Sequence, residues 1–522
     1  MKISALAALL NCPCWTPDGR DPEILGVSED SRDILPGWLF AAVYGAKDSG
    51  GRYARDALER GAAGLIVPSD FNALQKLHIP AATLAEAPRI ALPEPFRKSL
   101  GEASRQIYGE PEKGLLLVGI TGSNGKSTIS YLVETLFTDL GYYPGVLGTV
   151  NYRWPGERLV GANTTPEGPL LFRTLARMRE DGARSAIMEV SSHALSLGRL
   201  GKTLFSLALF SNLSRDHLDF HGDLENYFRA KETLFTDYLA PPEALSPHVP
   251  PGEPRALVNA DDPYGQRLLL SLGPLARGYG LAAGEIRGKI VGLSRAGIDL
   301  EVVTKRGAYR IQSSLLGRFN ASNLLAAASV GESLRAPQGL VAGSLSASGG
   351  APGRLSRVGT EERFLALVDY AHSPEALLSA VEAVRELTTG KVVVVFGCGG
   401  DRDRGKRPLM GQAAARAAIA VLTTDNPRSE DPMAIIAEAE EGLQEAGLRR
   451  AASLREAVAG TYLVAPDRGE AIQWGAALLE SGDALLVAGK GHENYQIFRD
   501  GRVYFDDAET TLKALREQGK SE

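Results

Sequence analysis

The chain has 522 residues, which is enough for about three domains at roughly 150 residues each. Its composition, 44% hydrophobic and 23% charged, is that of a globular protein with buried cores, and its formal charge of −6 argues against a coat on nucleic acid or a membrane surface. Cys12, Cys14 and Cys398 lack the spacing of a zinc ribbon or a disulfide scaffold, which favours a reducing compartment. No apolar run has the length of a membrane span.

The first block of the chain, to about residue 100, predicts a small domain of mixed strands and helices. Residues 38–43 are apolar and predict a strand. Residues 54–61 predict a helix that ends at its glycine.

The rest of the chain contains short apolar runs that predict parallel strands covered by helices on both faces. The runs are too short for helices, and each ends in polar or glycine-rich residues. They lie at residues 115–118, 185–188, 207–210, 392–395 and 484–487. A segment rich in Gly, Ser, Ala and Pro, residues 342–353, predicts a linker between the second and third blocks.

A glycine-rich segment, residues 119–128, follows the first of these runs and precedes a predicted helix. Glycines let backbone N–H groups approach phosphate oxygens, and the start of the helix adds partial positive charge. Here Lys126 would reach the β- and γ-phosphates of a nucleotide, and the Ser127 hydroxyl could hold magnesium. The predicted nucleotide site contains Gly122, Ser123, Asn124, Gly125, Lys126, Ser127 and Thr128.

The spacing differs from the general P-loop pattern, because Ile120 rather than glycine stands six residues before Lys126. It instead resembles the T-G-x-N-G-K-[ST] loop of the Mur ligase family, the amide ligases of peptidoglycan precursor synthesis. The resemblance extends from about residue 25 to residue 500. It implies a cytoplasmic ligase that uses ATP and Mg²⁺ to join a carboxylate to an amine through an acyl phosphate.

The resemblance also implies an α/β fold of three domains. Residues 1–103 would form a small mixed α/β domain that binds the UDP-sugar. Residues 104–345 would form a central P-loop ATPase domain with a parallel sheet, and residues 346–522 a C-terminal Rossmann-like domain that binds the amino acid.

Two residues that each follow a predicted strand, Glu189 and His217, are candidates for a metal site with the Ser127 hydroxyl. Taken alone, His217 would be interpreted as a capping or buried histidine. The resemblance implies catalytic roles for Lys126, Glu189 and His217. It also implies that Lys231, in a predicted helix, is carbamylated by CO₂ and becomes an anion near the metal.

The resemblance assigns several polar segments to a nucleotide-sugar substrate, UDP-N-acetylmuramoyl-dipeptide. Residues 29–32 and 36–40 resemble the D-S-R…P-G-x-L-F signature of the UDP-binding domain. Residues 163–166 would otherwise be interpreted as a turn. The contacts that we expect are Glu29, Ser31, Ala46, Lys47, Asp48, Asn163, Thr164, Thr165, Ser191 and Arg199.

ATP contacts are expected on both sides of the predicted linker. Residues 317–323 resemble a G-x-F/H-N-x-x-N motif whose first asparagine, here Asn320, contacts adenine. Beyond the linker, Arg354 suits a phosphate and Asp369 a ribose hydroxyl. Contributions from two domains predict domain closure, which would keep water from a labile acyl phosphate.

Charged residues of the third block predict which amine is added. Arg402 and Arg428 offer guanidinium groups for carboxylates, whereas Asp425 and Glu493 offer anions for ammonium groups. The set suits the distal end of meso-diaminopimelate, and the Asp-Asn-Pro-Arg sequence at 425–428 resembles the family members that add this amino acid. The predicted contacts are Arg402, Asp425, Asn426, Pro427, Arg428, Gly489 and Glu493.

Alternatives remain open at this point. The acceptor could be L-lysine or another amino acid, and the chain could be a related amide ligase such as a folylpolyglutamate synthase. A P-loop NTPase that drives motion or signalling would share the loop, but it would leave the third block unexplained. We expect no nucleic-acid partner, no membrane insertion and a monomer.

Overall fold

The computed structural model describes residues 1–45, 49–161, 163–241, 248–359 and 363–520. Three main sheets with their helices follow one another along the chain, so the predicted α/β fold with parallel sheets is confirmed. The sheets occur in the three predicted segments, and the boundaries at 103/104 and 345/346 stay predictions. Among the described residues, none of the helices combines the length and the apolar character that a bilayer crossing requires.

The first sheet contains five short strands. Its elements are α1 (Ile3–Leu10), β1 (Cys14–Trp15), β2 (Gly26–Ser28), β3 (Trp38–Ala41), α2 (Ala54–Glu59), β4 (Gly64–Pro68), α3 (Phe71–Lys76), α4 (Ala81–Glu86), β5 (Arg89–Leu92) and α5 (Phe96–Ile107). The order is β1-β5-β4-β3-β2, with β1 antiparallel at one edge and the other pairings parallel. The strand and the helix predicted in this block are β3 and α2.

The central sheet is the largest, with eleven strands. Its elements are β6 (Leu116–Thr121), α6 (Lys126–Asp139), β7 (Pro144–Leu147), β8 (Tyr152–Trp154), β9 (Glu157–Leu159), α7 (Gly168–Glu180), β10 (Ser185–Glu189), α8 (Ser192–Leu197), β11 (Leu207–Phe210), α9 (Leu218–His221), α10 (Leu224–Thr236), β12 (Ala256–Asn259), α11 (Pro263–Leu272), β13 (Ala276–Gly280), β14 (Ile286–Ser294), β15 (Gly297–Thr304), β16 (Gly307–Ser313), α12 (Arg318–Ser333) and α13 (Gln338–Ala347). Its order is β16-β15-β14-β13-β12-β11-β6-β10-β7-β8-β9. The strands from β14 to β7 in this order pair in parallel, and antiparallel strands flank them.

The C-terminal sheet has seven strands, and a separate hairpin follows it. The elements are β17 (Ser356–Arg357), β18 (Leu365–Asp369), α14 (Pro374–Leu387), β19 (Val392–Cys398), α15 (Lys406–Ala414), β20 (Ile419–Thr424), α16 (Pro432–Glu445), β21 (Arg449–Arg450), β22 (Thr461–Val464), α17 (Arg468–Ala477), β23 (Ala484–Ala488), β24 (Tyr495–Phe498), β25 (Gly501–Tyr504) and α18 (Asp507–Glu517). The sheet order is β17-β18-β23-β19-β20-β22-β21, with only β17 antiparallel among its described strands.

The five apolar runs predicted as strands form β6, β10, β11, β19 and β23. Every residue of these strands is buried, as expected for parallel strands covered on both faces. The predicted linker is wrong in its first half, because the chain stays helical to Ala347 at the end of α13. The small residues of α13 allow close packing on α6 and β16, and the Ser344 hydroxyl donates to Asp139 Oδ2 at 2.5 Å.

Many of the residues predicted for catalysis and ligand binding lie at the carboxyl ends of the parallel strands. In the central sheet, β6 lies between β10 and β11. The chain passes from β6 to β7 and β10 on one side of β6 and then crosses to β11 on the other side. In the C-terminal sheet, β23 lies between β18 and β19, which are consecutive in the chain. Such reversals of strand order open crevices at the carboxyl ends, where ligands bind in α/β proteins.

Candidate active site

The loop between β6 and α6 has the geometry that a phosphate-binding loop requires. Gly122 has a φ of 143° and Gly125 a φ of 91°, backbone conformations that residues with side chains rarely adopt. A Cβ at Gly122 would lie 2.0 Å from Ser211 Oγ, and one at Gly125 would lie 2.5 Å from Asn323 Oδ1. Glycine is therefore required at both positions, and the start of α6 stays accessible to a phosphate.

Two lysines converge on carbonyl groups of this loop. Lys126 Nζ donates to the carbonyl oxygens of Gly122 and Ser123, both at 2.9 Å, and Lys231 Nζ donates to that of Gly122 at 2.9 Å. Loss of solvent lowers the pKa of both ammonium groups, and the charge of Lys126 lowers that of Lys231 further. Because only a neutral amine reacts with CO₂, the lowered pKa of Lys231 fits its predicted carbamylation.

Glu189, at the end of β10, is 1% exposed and accepts several hydrogen bonds. Ser127 Oγ donates to its carboxylate at 2.9 Å, Thr149 Oγ1 at 2.8 Å and the Thr149 N–H at 3.1 Å. The part of the chain that the structure describes holds no metal-binding cluster of three or more His, Cys, Asp or Glu side chains. The hydroxyl of Ser127 and the carboxylate of Glu189 are nevertheless the hard oxygen ligands that Mg²⁺ prefers, with water completing its shell, so these residues fit the ion.

His217, the third predicted metal ligand, lies directly before α9 and lines the cavity that Ser127 and Glu189 also line. Its ring centroid lies 4.8 Å from that of His193, and its Nε2 lies 3.5 Å from Asp216 Oδ2. Partial burial lowers the pKa of His217 to about 4, although the charge of Asp216 opposes the shift. The imidazole is therefore neutral near pH 7, the form that binds metals.

A cavity of about 560 Å³ joins the central and C-terminal sheets above the phosphate loop. Arg354 extends into it from the C-terminal side: its Nη2 donates to Ser127 Oγ at 3.4 Å, and its guanidinium carbon lies 4.5 Å from the ring centroid of Tyr370. Among the described groups, Arg354 Nε is buried without a hydrogen-bond partner. A buried guanidinium N–H in this position fits a phosphate oxygen.

The residues predicted to contact ribose and adenine lie at different depths. Asp369 lines the cavity, and its carboxylate accepts hydrogen bonds from the N–H groups of Leu355 at 2.6 Å and Ala371 at 2.8 Å. Asn320 is 1% exposed and accepts a hydrogen bond of 2.8 Å from Asn323, which does line the cavity. Asn320 thus lies behind Asn323, and its contact with adenine stays a prediction.

A second cavity, of about 770 Å³, lies at the carboxyl ends of β19, β20 and β23. The central sheet contributes Asp216 and His217 to its opposite wall, and both residues also line the first cavity, so the two cavities adjoin. Six of the seven residues predicted to bind the amino acid line the second cavity: Arg402, Asp425, Asn426, Arg428, Gly489 and Glu493.

The two predicted arginines differ in burial. Arg402 is exposed and donates to the carbonyl of Asp401 at 3.0 Å. Arg428 is partly buried, has a φ of 54° and donates from Nη1 to the carbonyl of Gly400 at 2.7 Å. Desolvation lowers the pKa of Arg428, and the nearby charge of Arg402 lowers it further. Two guanidinium groups that influence each other in this way suit a shared carboxylate.

The two predicted anions share a buried lysine that the sequence analysis missed. Lys490 is 0% exposed, and its Nζ lies 3.3 Å from Glu493 Oε2 and 3.6 Å from Asp425 Oδ1. It also donates to Asn426 Oδ1 at 3.3 Å. A signal was present, because Lys490 follows Gly489 directly, but the sequence does not indicate that its side chain turns inward.

An ion pair connects the walls of the two cavities. Lys406 Nζ, at the start of α15, lies 2.7 Å from Asp216 Oδ1 in the central domain. Although burial opposes the shift, the charges of His217 and Lys406 hold the pKa of Asp216 well below its usual range. Neither partner was predicted, because a lysine in a charged segment is normally interpreted as solvated.

The residues predicted to bind the nucleotide-sugar form a path between the first and central sheets. Arg199 donates to the carbonyl of Thr165 at 3.0 Å and pairs with Glu167 at 2.7 Å. Arg97 also pairs with Glu167, at 2.8 Å, and lies 3.9 Å from Glu29. Partial burial, and then the charge of Glu167, raise the pKa of Glu29 to about 7.

The other predicted contacts extend this path toward the predicted metal ligands. The Ser191 N–H donates to Thr165 Oγ1 at 2.9 Å, and the hydroxyls of Thr164 and Thr149 lie 3.1 Å apart. Ser31 is 6% exposed at the start of the short 3₁₀ helix Ser31–Asp33. Three predicted contacts lie outside the described residues: Ala46, Lys47 and Asp48.

Comparison with known proteins gives matches over the whole chain. The family model for the Mur ligase middle domain matches residues 120–331, and that for the Mur ligase glutamate ligase domain matches residues 353–491. The UDP-N-acetylmuramoyl-L-alanyl-D-glutamate–2,6-diaminopimelate ligase of Geobacter metallireducens is 38% identical over 525 residues, 99% of each chain. The enzyme of the same name from Parasynechococcus marenigrum is 40% identical over 507 residues, 95% of this chain and 96% of that one.

Solved structures agree with the sequence matches. A structure of a UDP-N-acetylmuramoyl-L-alanyl-D-glutamate–2,6-diaminopimelate ligase matches with a TM-score of 0.65 at 31% identity and covers 99% of each chain. MurF from Acinetobacter baumannii matches with a TM-score of 0.65 over 98% of each chain, but at 16% identity it shows the shared fold alone. With identities above 30% over nearly its full length, the chain belongs to the Mur ligase family and is an ATP-dependent ligase that forms amide bonds.

Proposed function

We propose that this protein adds meso-diaminopimelate to UDP-N-acetylmuramoyl-L-alanyl-D-glutamate, with consumption of ATP, in peptidoglycan precursor synthesis. The observation that carries the proposal is the second cavity, whose wall includes Arg402 and Arg428 together with Asp425 and Glu493. The distal end of diaminopimelate bears one carboxylate and one ammonium group and can pair with both kinds of side chain. Lysine would leave the arginines without a carboxylate. The relatives described above have this activity in their names.

The first cavity supports activation of the carboxylate. Lys126 and Arg354 bring positive charge to the phosphate loop, which favours transfer of the γ-phosphoryl group of ATP to the D-glutamyl carboxylate. Ser127 and Glu189 would hold a magnesium ion, which supplies further positive charge beside the phosphates when bound. Lys231, once carbamylated, would place an anion next to them.

The boundary between the cavities is where we place amide formation. Arg402 and Arg428 would hold the distal end of diaminopimelate, so that its other amino group points toward the shared wall at Asp216 and His217. There the amine attacks the acyl phosphate, and phosphate leaves the tetrahedral intermediate. The contribution of the protein at this step is chiefly positioning, together with exclusion of water between the two domains.

The division of labour among domains follows the same geometry. We assign residues 1–103 to the UDP-sugar, 104–345 to ATP and 346–522 to the amino acid. The contacts of Arg97 with Glu167 and of Arg354 with Ser127 support substrate sites that span these domains. Because both cavities are formed within one chain, we propose a monomer, which would act in the cytoplasm, where ATP is available.

The proposal is tested by phosphate release with ATP, Mg²⁺, the UDP-linked dipeptide and a panel of amino acids. We expect release that requires an acceptor and is much faster with meso-diaminopimelate than with L-lysine, together with a product that gains the mass of the added residue. Equal turnover with lysine would refute the acceptor assignment. Release that needs no acceptor would refute the ligase reaction.

A further inference from the structure

We infer that Lys490 is a specificity-determining residue: it reduces the negative charge of the Asp425–Glu493 pair to match a single ammonium group, so that acceptor choice depends on the carboxylate bound by the arginines. The inference rests on the proposed function and deepens it. Lys490 would act through the two acids rather than by touching the amino acid, since it is fully buried behind the residues that line the cavity.

Lys490 lies beneath Asp425 and Glu493 and contacts both. Its Nζ lies 3.3 Å from Glu493 Oε2, 3.6 Å from Asp425 Oδ1 and 3.3 Å from Asn426 Oδ1, and 5.4 Å from the ring centroid of Tyr495. A fully buried ammonium group is costly unless anions compensate it. The lysine and the two acids therefore form one electrostatic unit.

The hydrogen bonds of the two acids show which atoms remain for a ligand. Glu493 Oε2 accepts from both Lys490 and Asn426, the latter at 3.2 Å, so this oxygen is occupied. Glu493 Oε1 has only a long contact of 3.4 Å with the Tyr370 hydroxyl among the described groups. Asp425 Oδ1 is buried on the side of Lys490, 3.6 Å from its Nζ, and makes no hydrogen bond within the described part of the chain. Lys490 thus faces one oxygen of each acid, and Glu493 Oε1 is the oxygen with acceptor capacity for an ammonium group.

The charges near this pair support the assignment. Arg468 is also buried close to Asp425, but it is bound to Asp507 at 2.7 Å and is neutralised by it. Among the residues that the structure describes, Lys490 is the buried cation in direct contact with both acids, at 3.6 Å and 3.3 Å. Arg402 and Arg428 lie on the cavity wall, where they can bind a carboxylate. Two acids and one lysine leave a net charge of about −1, which one ammonium group balances.

Removal of the Lys490 side chain changes how much the distal ammonium and the distal carboxylate of the acceptor each contribute to binding. Without Lys490 the acids would carry a charge of about −2 and would attract any ammonium group more strongly. The affinity for the acceptor L-lysine, which has only an ammonium group at its distal end, would rise most. Diaminopimelate would gain less, because its carboxylate would lie near the enlarged negative charge.

The experiment compares kcat/KM for meso-diaminopimelate and L-lysine in the wild type and in Lys490→Met, with saturating ATP, Mg²⁺ and UDP-linked dipeptide. We expect the diaminopimelate-to-lysine ratio to fall by about tenfold or more and kcat/KM for lysine to rise by about threefold or more, with KM for ATP unchanged. A variant that is merely damaged cannot use lysine better than the wild type.

Two matched variants serve as controls. Lys391→Met removes a lysine paired with Asp483 at 2.5 Å near the start of β19, away from the cavity, and should keep the wild-type ratio. Lys490→Arg keeps the charge and should also keep lysine a poor acceptor. If circular dichroism shows that Lys490→Met is unfolded, Lys490→Gln replaces it, with the same expected result.

An unchanged ratio in the folded Lys490 variant, or a parallel loss with both acceptors, would overturn the inference and leave Lys490 a structural role. This failure is distinct from failure of the proposed function. If wild-type protein does not add diaminopimelate to the dipeptide, the function is wrong before any variant is compared.

Discussion

The two cavities adjoin one another, but they are built in different ways. The first cavity, which we propose as the nucleotide cavity, depends on backbone geometry, with Gly122 and Gly125 at positive φ before a helix start. The second, which we propose as the amino-acid cavity, depends on charged side chains from separate strand ends, of which Arg428 and Glu493 are examples. Backbone groups suit a phosphate that many enzymes share, whereas paired side chains can discriminate among amino acids.

The two cavities also treat buried charge differently. Lys126 and Lys231 have lost solvent and donate to carbonyl oxygens of the loop, and Lys231 Nζ also lies 4.4 Å from the ring centroid of Tyr227. Neither lysine forms an ion pair with a described carboxylate, so each can bind an incoming anion or be modified. Lys490 is instead compensated by Asp425 and Glu493. We therefore expect substitutions in the nucleotide cavity to reduce turnover with every acceptor, and substitutions in the amino-acid cavity to change turnover with diaminopimelate and with lysine by different factors.

The largest effect should come from Lys126→Met, which removes a cation from the phosphate loop. We expect phosphate release to fall by about 10²- to 10³-fold with every acceptor, as for loss of other groups that stabilise transition-state charge. The thermal midpoint should stay the same or rise, because a desolvated ammonium group is gone. Phosphate assays and thermal melts measure both quantities. Lys113→Met, at an exposed lysine before β6, is the control, and near-normal turnover in Lys126→Met would contradict the comparison.

A smaller and more selective effect is expected for Arg428→Lys. The substitution keeps the charge but loses the forked geometry that binds a carboxylate through two hydrogen bonds. We expect kcat/KM for diaminopimelate to fall by about 10- to 100-fold while KM for ATP stays constant. Arg404→Lys, at an exposed arginine paired with Glu438, is the matched control. A large rise in KM for ATP would show that the two cavities are not separable.

The ion pair between the cavities should give the next effect. Lys406→Met removes the contact with Asp216, and a partly buried ion pair of this kind contributes about 1 kcal/mol. We expect KM for diaminopimelate to rise by about fivefold as a result. A double-mutant cycle with Asp216→Asn measures the coupling. Strictly additive effects of the two substitutions would mean that the pair does not connect the cavities.

The comparison also explains how much the sequence could predict. The strands were predictable, because buried parallel strands such as β6 and β19 leave uninterrupted apolar runs. The positions of Lys126 and Ser127 in a loop before a helix were predictable as well, because this pattern is contiguous in the chain. The predicted linker failed at its helical half, up to Ala347, because small residues are compatible both with a linker and with close helix packing.

Residues whose role depends on tertiary contacts were not predictable. Lys490 and Lys406 have nothing in their neighbouring sequence that distinguishes an inward side chain from a solvated one. Asp216 meets Lys406 only because two domains face each other, 190 residues apart in the chain. Asn320 is a different case: its motif was recognised, Asn323 of the same motif lines the cavity, and the contact of Asn320 with adenine stays a prediction.

A further, partly buried charge, the carboxylate of Glu29, lies between the first and central sheets. Glu29 has a pKa raised to about 7 from 4.5, so the folded state binds a proton more tightly than the unfolded state, and Glu29 destabilises the fold as pH rises through this range. Because Arg97 and Arg199 compensate Glu29 only in part, Glu29→Gln should raise the free energy of unfolding by about 1 kcal/mol above pH 7, with no gain below pH 4.5.

Denaturant titrations of wild type and variant at pH 8 and at low pH measure the difference. Glu59→Gln, at an exposed glutamate paired with Arg55, is the control and should show no such pH dependence. An equal gain for Glu29→Gln at both pH values would mean that the substitution acts through packing, not through the charge of the carboxylate.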